Sequence, residues 1–184
     1  MSQIVQVEDL KAEGLRLFNE GLYEEAIDRF GKAQEVFAAE GNGLEAAEML
    51  NNLGVVYRLT QKWDQAQAAL EEANAAFARI GDRSREAQAL GNLGGLLASQ
   101  GERLRAQEYL RKAADLFGEL EDTQHQGETL LALGEQMWKA GDRRGGLAAY
   151  EAGVQMLDRP TPQQKIMRSL LKVRMRLLGG RPVL

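Results

Sequence analysis

The stretch Ala89–Gly101, ALGNLGGLLASQG, decides how this chain is read. It carries four glycines, yet its apolar spacing is helical. Each interior Gly costs a helix about 1 kcal/mol relative to Ala. A helix that tolerates them needs something in return. The answer lies 40 residues to either side. NNLGVVYRL at Asn51 returns as GNLGGLLAS at Gly91 and LALGEQMWK at Leu131. Gly14, Gly54, Gly94 and Gly134 share one column at this step, as do Leu50, Leu90 and Leu130, and Leu53, Leu93 and Leu133. Ala26, Ala66, Ala106 and Gly146 make another, followed by Phe30, Leu70, Leu110 and Tyr150. Ala33, Ala73, Ala113 and Gly153 come next, then Phe37, Phe77, Phe117 and Leu157. A fixed period with no insertion is the mark of a repeat architecture.

Each copy reads as two helices. Leu50, Leu53 and Tyr57 form one stripe of a first helix; Trp63, Ala66, Leu70, Ala73 and Phe77 form the face of a second. Gly21, Gly101 and Gly141 stand just past the first helices, where Gly suits a helix end, and Gln61 takes that place in the second copy. Asn42, Asp82 and Asp122 stand where N-caps are wanted. The Gly14 column is expected where a neighbouring helix packs against the space a Cβ would fill. Gly91 and Gly95 lie in other columns and are not explained that way.

The pattern resembles the tetratricopeptide repeat (TPR). Gly14, Gly21, Tyr23, Ala26, Phe30 and Ala33 follow the family's order, and so do Leu53, Gly54, Tyr57, Trp63, Ala66 and Ala73. The resemblance covers residues 7 to about 158. Its departures are the period of 40 instead of about 34, the absence of Pro between copies, and glycines at 146 and 153. The longer period is similar to the extended repeats of kinesin light chains, spindle-orientation adaptors and bacterial Rap-type regulators. The resemblance implies an all-α, right-handed α-solenoid of four helix-turn-helix units at about 7–41, 42–81, 82–121 and 122–158, filling residues 1–160. Residues 161–184 follow as a basic amphipathic capping helix with a short tail.

In such a solenoid the first helices line a groove. The resemblance therefore implies a peptide-binding surface at Glu48, Asn52, Val55 and Arg58, at Gln88, Gly91, Asn92 and Gly95, and at Glu135, Trp138 and Lys139. Asn52 and Asn92 share a column, and an Asn amide both donates and accepts, so it suits an extended peptide backbone. Hydrogen bonding to a neighbouring side chain is the plain alternative. Gly91 and Gly95 would leave a hollow beside Asn92. Trp138, Phe18, Leu15, Val55 and Leu131 are apolar where solvent is expected, and an exposed aromatic is an anchor candidate. Packing of Trp138 under the capping helix is the competing expectation. Glu8, Glu48, Glu128 and Glu135 make the groove mildly acidic, which favours a neutral or basic partner. Some family members hold chaperone tails with a clamp of Lys, Asn and Arg. Lys11 and Asn52 stand in such columns, but Leu15, Gly91 and Gly95 do not supply the rest, so chaperone-tail binding is not expected.

Composition narrows the function further. The chain has 184 residues and a net charge of −4, which disfavours nucleic acid. It has no Cys and one His, His125, so thiol chemistry is excluded and a His-based metal site is not expected. No signal peptide or membrane-length apolar run is seen, and a cytoplasmic location is expected. No nucleophile stands beside a base in any column, and no phosphate loop follows a strand. We therefore expect no enzyme, cofactor or metal, and a protein- or peptide-binding scaffold or adaptor. The alternative is a structural protein that self-associates through its C-terminal helix, without a groove ligand. That helix carries the stripe Ile166, Leu170, Val173 and Leu177 opposite Lys165, Arg168, Lys172 and Arg176, and Gly179–Gly180 is expected to end it. Residues 161–184 hold six basic and no acidic residues, whereas residues 1–160 carry a net of −10. Capping of the last repeat is its expected role, with self-association (a homo-oligomer) and contact with an anionic membrane as alternatives, the membrane disfavoured.

Overall fold

A computed structural model describes residues 3–177 of the chain, with side chains from 7 to 170. Among the described residues the chain forms nine α-helices and no strand. In order they are α1 (Gln3–Asn19), α2 (Tyr23–Ala39), α3 (Gly43–Leu59), α4 (Trp63–Ile80), α5 (Arg83–Ser99), α6 (Arg103–Glu119), α7 (Thr123–Lys139), α8 (Arg143–Met156) and α9 (Pro162–Leu177). The chain divides into two compact units, residues 1–100 and 101–184.

The joints between helices follow from local chemistry. After α1 the Gly21 N–H reaches the Phe18 carbonyl at 3.1 Å and the Leu22 N–H reaches Leu17 at 2.9 Å, which closes the helix end. The geometry needs a left-handed residue. Gly21, Gly101 and Gly141 supply it with φ of 77°, 82° and 99°, and Gln61 adopts it without being Gly, at 59°. The next helices are capped by side chains as expected: Asn42 accepts from the Glu45 N–H, Asp82 from Arg85 and Asp122 from His125. Asp142 caps α8 in the same manner through the Gly145 N–H, a cap the sequence reading passed over.

In the first unit α1 packs on α2, α2 on α3, α3 on α4 and α4 on α5, with a side contact between α3 and α5. Its core is built from the repeat columns: Ala26, Phe30, Ala33 and Phe37 of α2 meet Met49, Leu53 and Val56 of α3. Ala73 and Phe77 of α4 meet Ala47 of α3 and Ala89 of α5. A Cβ on Gly14 would stand 2.7 Å from the Phe30 ring, and one on Gly54 would collide with the Leu70 side chain. Those two glycines therefore persist because a second helix fills their space.

In the second unit α6 packs on α7, α7 on α8, and α8 on α9. Here the glycines face glycines. A Cβ on Gly134 would lie 2.7 Å from the Gly146 carbonyl oxygen, and one on Gly153 would lie 2.6 Å from that of Gly127. The two backbones touch, with Gly127 and Gly134 on one helix against Gly153 and Gly146 on the other. What reads in the sequence as decay of the fourth copy is a closer helix crossing.

The last helix departs from expectation. The expected cap lays its apolar stripe on the last repeat. Instead, Arg168 docks α9: its Nε donates to the Val154 carbonyl at 2.9 Å and its Nη2 to that of Leu157 at 2.6 Å. These are carbonyls that the end of a helix leaves unsatisfied. Ile166 and Leu170 stand in solvent, 63% and 59% exposed. The side chains of Lys172, Val173, Arg176 and Leu177, and the helix end expected at Gly179–Gly180, lie outside the described residues.

Candidate functional site

The face formed by α1, α3 and α5 in the first unit is held by a ladder of charges. Lys11 Nζ of α1 reaches Glu45 at 2.6 Å and Glu48 at 2.9 Å, both on α3. Arg85 of α5 reaches the same Glu48 at 3.2 Å and its own helix cap, Asp82, at 2.7 Å. Burial alone would lower the Lys11 pKa, but the hydrogen bonds to Glu45 and Glu48 outweigh it and hold the ammonium above its usual range. Burial likewise works to raise Glu48. Lys11 and Arg85 reverse that and keep its carboxyl below the usual range. Glu48 is therefore a committed structural anion, balanced by two cations, and not the free acid of an acidic groove.

The two asparagines of the shared column diverge. Asn92 Nδ2 donates to Asn51 Oδ1 at 2.9 Å, tying α5 to α3. This is the plain alternative for that residue. The Asn52 side chain makes no hydrogen bond among the described residues and sits between two hollows. On one side is a polar cavity of about 380 Å³, lined by Glu48, Asn51, Asn52, Ser84, Arg85 and Gln88 over the Phe77 ring. On the other is a small apolar hole of about 90 Å³, lined by Leu15, Phe18, Phe30 and Val55 with Asn52. Glu48 and Gln88 line the polar cavity, Val55 lines the apolar hole, and Asn52 lines both. Arg58 is half-buried on α3 and lines neither cavity. Gly91 and Gly95 also line neither, although a Cβ on Gly95 would meet nothing within 4 Å.

Glu135, Trp138 and Lys139 gather elsewhere, in the second unit. They line an apolar cleft of about 580 Å³ with Leu131, Leu147 and Tyr150. The touching glycines of α7 and α8 make its floor, since Gly134 and Gly146 both line it. Trp138 is 52% exposed, so it is not packed away under α9. The Arg143 guanidinium stands 5.8 Å from its ring centroid. Lys139 pairs with Glu135 one turn away.

The sequence reading missed Arg85, Glu45 and Ser84. A signal existed. Lys11 and Glu48, and Glu48 and Arg85, are each 37 residues apart, one repeat less three. Opposite charges at that offset mark side chains that meet across successive first helices. His125 is spent locally, stacked on Phe117 with its Nδ1 2.7 Å from Asp122. Among the described residues no three His, Cys, Asp or Glu gather as a metal site would require, and no helix is long and apolar enough to cross a membrane.

Comparison with known proteins agrees with this architecture. Two tetratricopeptide repeat models match residues 14–79 and 87–126, together more than half of the chain. No curated protein matches the sequence. Among solved structures, BtubC (BKLC) from P. vanneervenii superposes with a TM-score of 0.75 at 22% identity, over 85% of this chain and 66% of that one. A Rap protein in complex with competence and sporulation factor gives 0.74 at 16% identity, over 85% of this chain and 44% of that one. The chain therefore spans less than two thirds of either. At such identities the similarity is one of fold, an all-α helical-repeat solenoid. The chain belongs to the tetratricopeptide repeat family.

Proposed function

We propose that this protein is a scaffold that holds an extended segment of a partner protein along its first helices, acting by recognition and not by chemistry. The coarser part rests on the family, whose repeats serve protein interaction. The finer part rests on one observation: Asn52 offers an unengaged amide between a polar cavity and an apolar hole. An extended backbone needs one donor and one acceptor from such a group, and a small aliphatic side chain beside it suits a space of about 90 Å³. A Rap protein of similar fold is complexed with competence and sporulation factor, which supports a bound partner for this fold. Because Glu48 is balanced by Lys11 and Arg85, the segment in the first unit is neutral and need not be basic. Asn92 serves in this reading to position α5.

A peptide array screened with the full chain tests this. Peptides bound by the wild type should lose about tenfold or more in affinity for Asn52→Ala, with the circular dichroism spectrum unchanged. Equal affinities in the two proteins, or an array on which nothing binds, would sink the reading.

A further inference from the structure

The second helix of every copy begins at the same place in the repeat, and the charge there changes sign along the chain. In the first unit the first turns hold acids, Glu24 and Glu25 in α2 and Asp64 in α4. In the second unit the first turns of α6 and α8 hold none. Arg103 and Arg105 open α6 instead, and Arg143 and Arg144 open α8. Residues 21–25 with 61–65 carry a net charge of −2, and the equivalent residues 101–105 with 141–145 carry +2. The helix dipole favours an acid in a first turn and disfavours a cation. The first unit follows what helix stability asks, and the second goes against it at four positions. The arginines therefore answer to something other than the helices they begin.

Some of these charges are spent locally. Lys62 engages Glu24 at 2.7 Å, Glu102 engages Arg105, and Arg143 stands over the Trp138 ring. Glu25, Asp64, Arg103 and Arg144 are exposed and make no ion pair among the described residues. Each edge also bares a leucine, Leu22 at 43% and Leu104 at 72% exposure. Leu104 walls a cavity of about 400 Å³ with Gly101, Arg103, Arg105 and Ala140. The acids that the arginine edge lacks stand at the equivalent place of this same chain, in equal number. We propose that the protein pairs with a second copy of itself, the starts of α2 and α4 of one copy against the starts of α6 and α8 of the other. Glu25 and Asp64 answer Arg103 and Arg144, and Leu22 enters the cavity beside Leu104. An arginine fork takes a carboxylate through two parallel hydrogen bonds, which fixes the register of such a contact. Every copy carries one edge of each sign, so like never has to meet like. The surface is separate from the Asn52 site and stands whether or not a peptide binds there.

Sedimentation velocity of the full chain at rising concentration should show reversible association that weakens from low salt to about 0.5 M. Arg103→Glu with Arg144→Glu should weaken it about tenfold or more, and so should Glu25→Arg with Asp64→Arg. All four residues are exposed, so the circular dichroism spectrum should not change. Mixed in equal amounts, the two double variants should associate with each other, because the reversed edges are again complementary. A chain that stays monomeric at every concentration, association that either double variant retains, or a mixture that stays monomeric overturns the proposal. So does a monomeric wild type that binds poly-glutamate through Arg103 and Arg144, which would give the arginine edge to a different acidic protein.

Discussion

Gln61 and Glu121 hold φ of 59° and 57°, the left-handed conformation that other copies give to glycine. For a residue with a Cβ that conformation costs roughly 1–2 kcal/mol. Gln61→Gly should therefore stabilise the chain by about 1 kcal/mol, net of the entropy Gly adds to the unfolded state. Urea midpoints compared at a common slope measure it, and an unchanged or lower midpoint contradicts the account. The position was legible in the sequence, because Gly21, Gly101 and Gly141 mark its column. The partners of single residues were less so. Asn52 and Asn92 look equivalent along the chain, yet Asn92 has Asn51 one turn of the neighbouring helix away and Asn52 has open space. Periodicity fixes which face a residue takes. It does not say which polar group will stand opposite.

At the level of the helix, the N-caps carry a pH dependence. The Arg85 backbone N–H and side chain hold the Asp82 carboxyl below its ordinary value. Burial works to raise Asp122, but the hydrogen bonds from His125 outweigh it and its value is lowered as well. A lowered carboxylate pKa gives stability that is present above the ordinary value of 3.8 and is lost as the pH falls through the folded value. Lys11 has the opposite sense. Its stability is present below 10.5 and is lost as the pH rises through its raised folded value. The melting temperature followed from about pH 2 to pH 11 should thus fall at both ends. Asp82→Asn, which keeps a capping oxygen, should flatten the acid limb; an acid limb of unchanged slope contradicts this. The helices themselves were plain in the sequence because apolar columns, caps and left-handed stops agreed. The side on which α9 docks was hidden. A guanidinium reaching free carbonyls outweighed an apolar stripe, and hydrophobic pattern alone does not weigh those two against each other.

Across the whole molecule, stability in a repeat chain is a sum of nearest-neighbour terms, so damage stays near its source. A Cβ on Gly153 would stand 2.6 Å from the Gly127 carbonyl oxygen and 3.0 Å from the Leu131 nitrogen. Backbone cannot step aside as a side chain can. Gly153→Ala should cost about 1–3 kcal/mol, and the loss should fall on the pairing of α7 with α8. Urea unfolding should then separate into two steps, the residue 101–184 unit melting first, when followed by the fluorescence of Trp138 against that of Trp63. A single coincident transition for both tryptophans would contradict it. That the chain is a run of packed helix pairs could be read from the sequence. The backbone contact could not, since Gly146 and Gly153 look like lost alanines until Gly127 and Gly134 are seen across from them.

The Arg168 anchor has a mechanical corollary. Among the described residues, one guanidinium bound to the carbonyls of Val154 and Leu157 fastens α9 at a point instead of along a seam. A rod pinned at one spot swivels more freely than a rod glued along its length. Lysine, with a single ammonium, cannot span those oxygens as the planar fork does. Arg168→Lys should therefore lower backbone order parameters across residues 162–170 while leaving α1–α8 unchanged, and equal values in both proteins would show that the pin is not what steadies the rod.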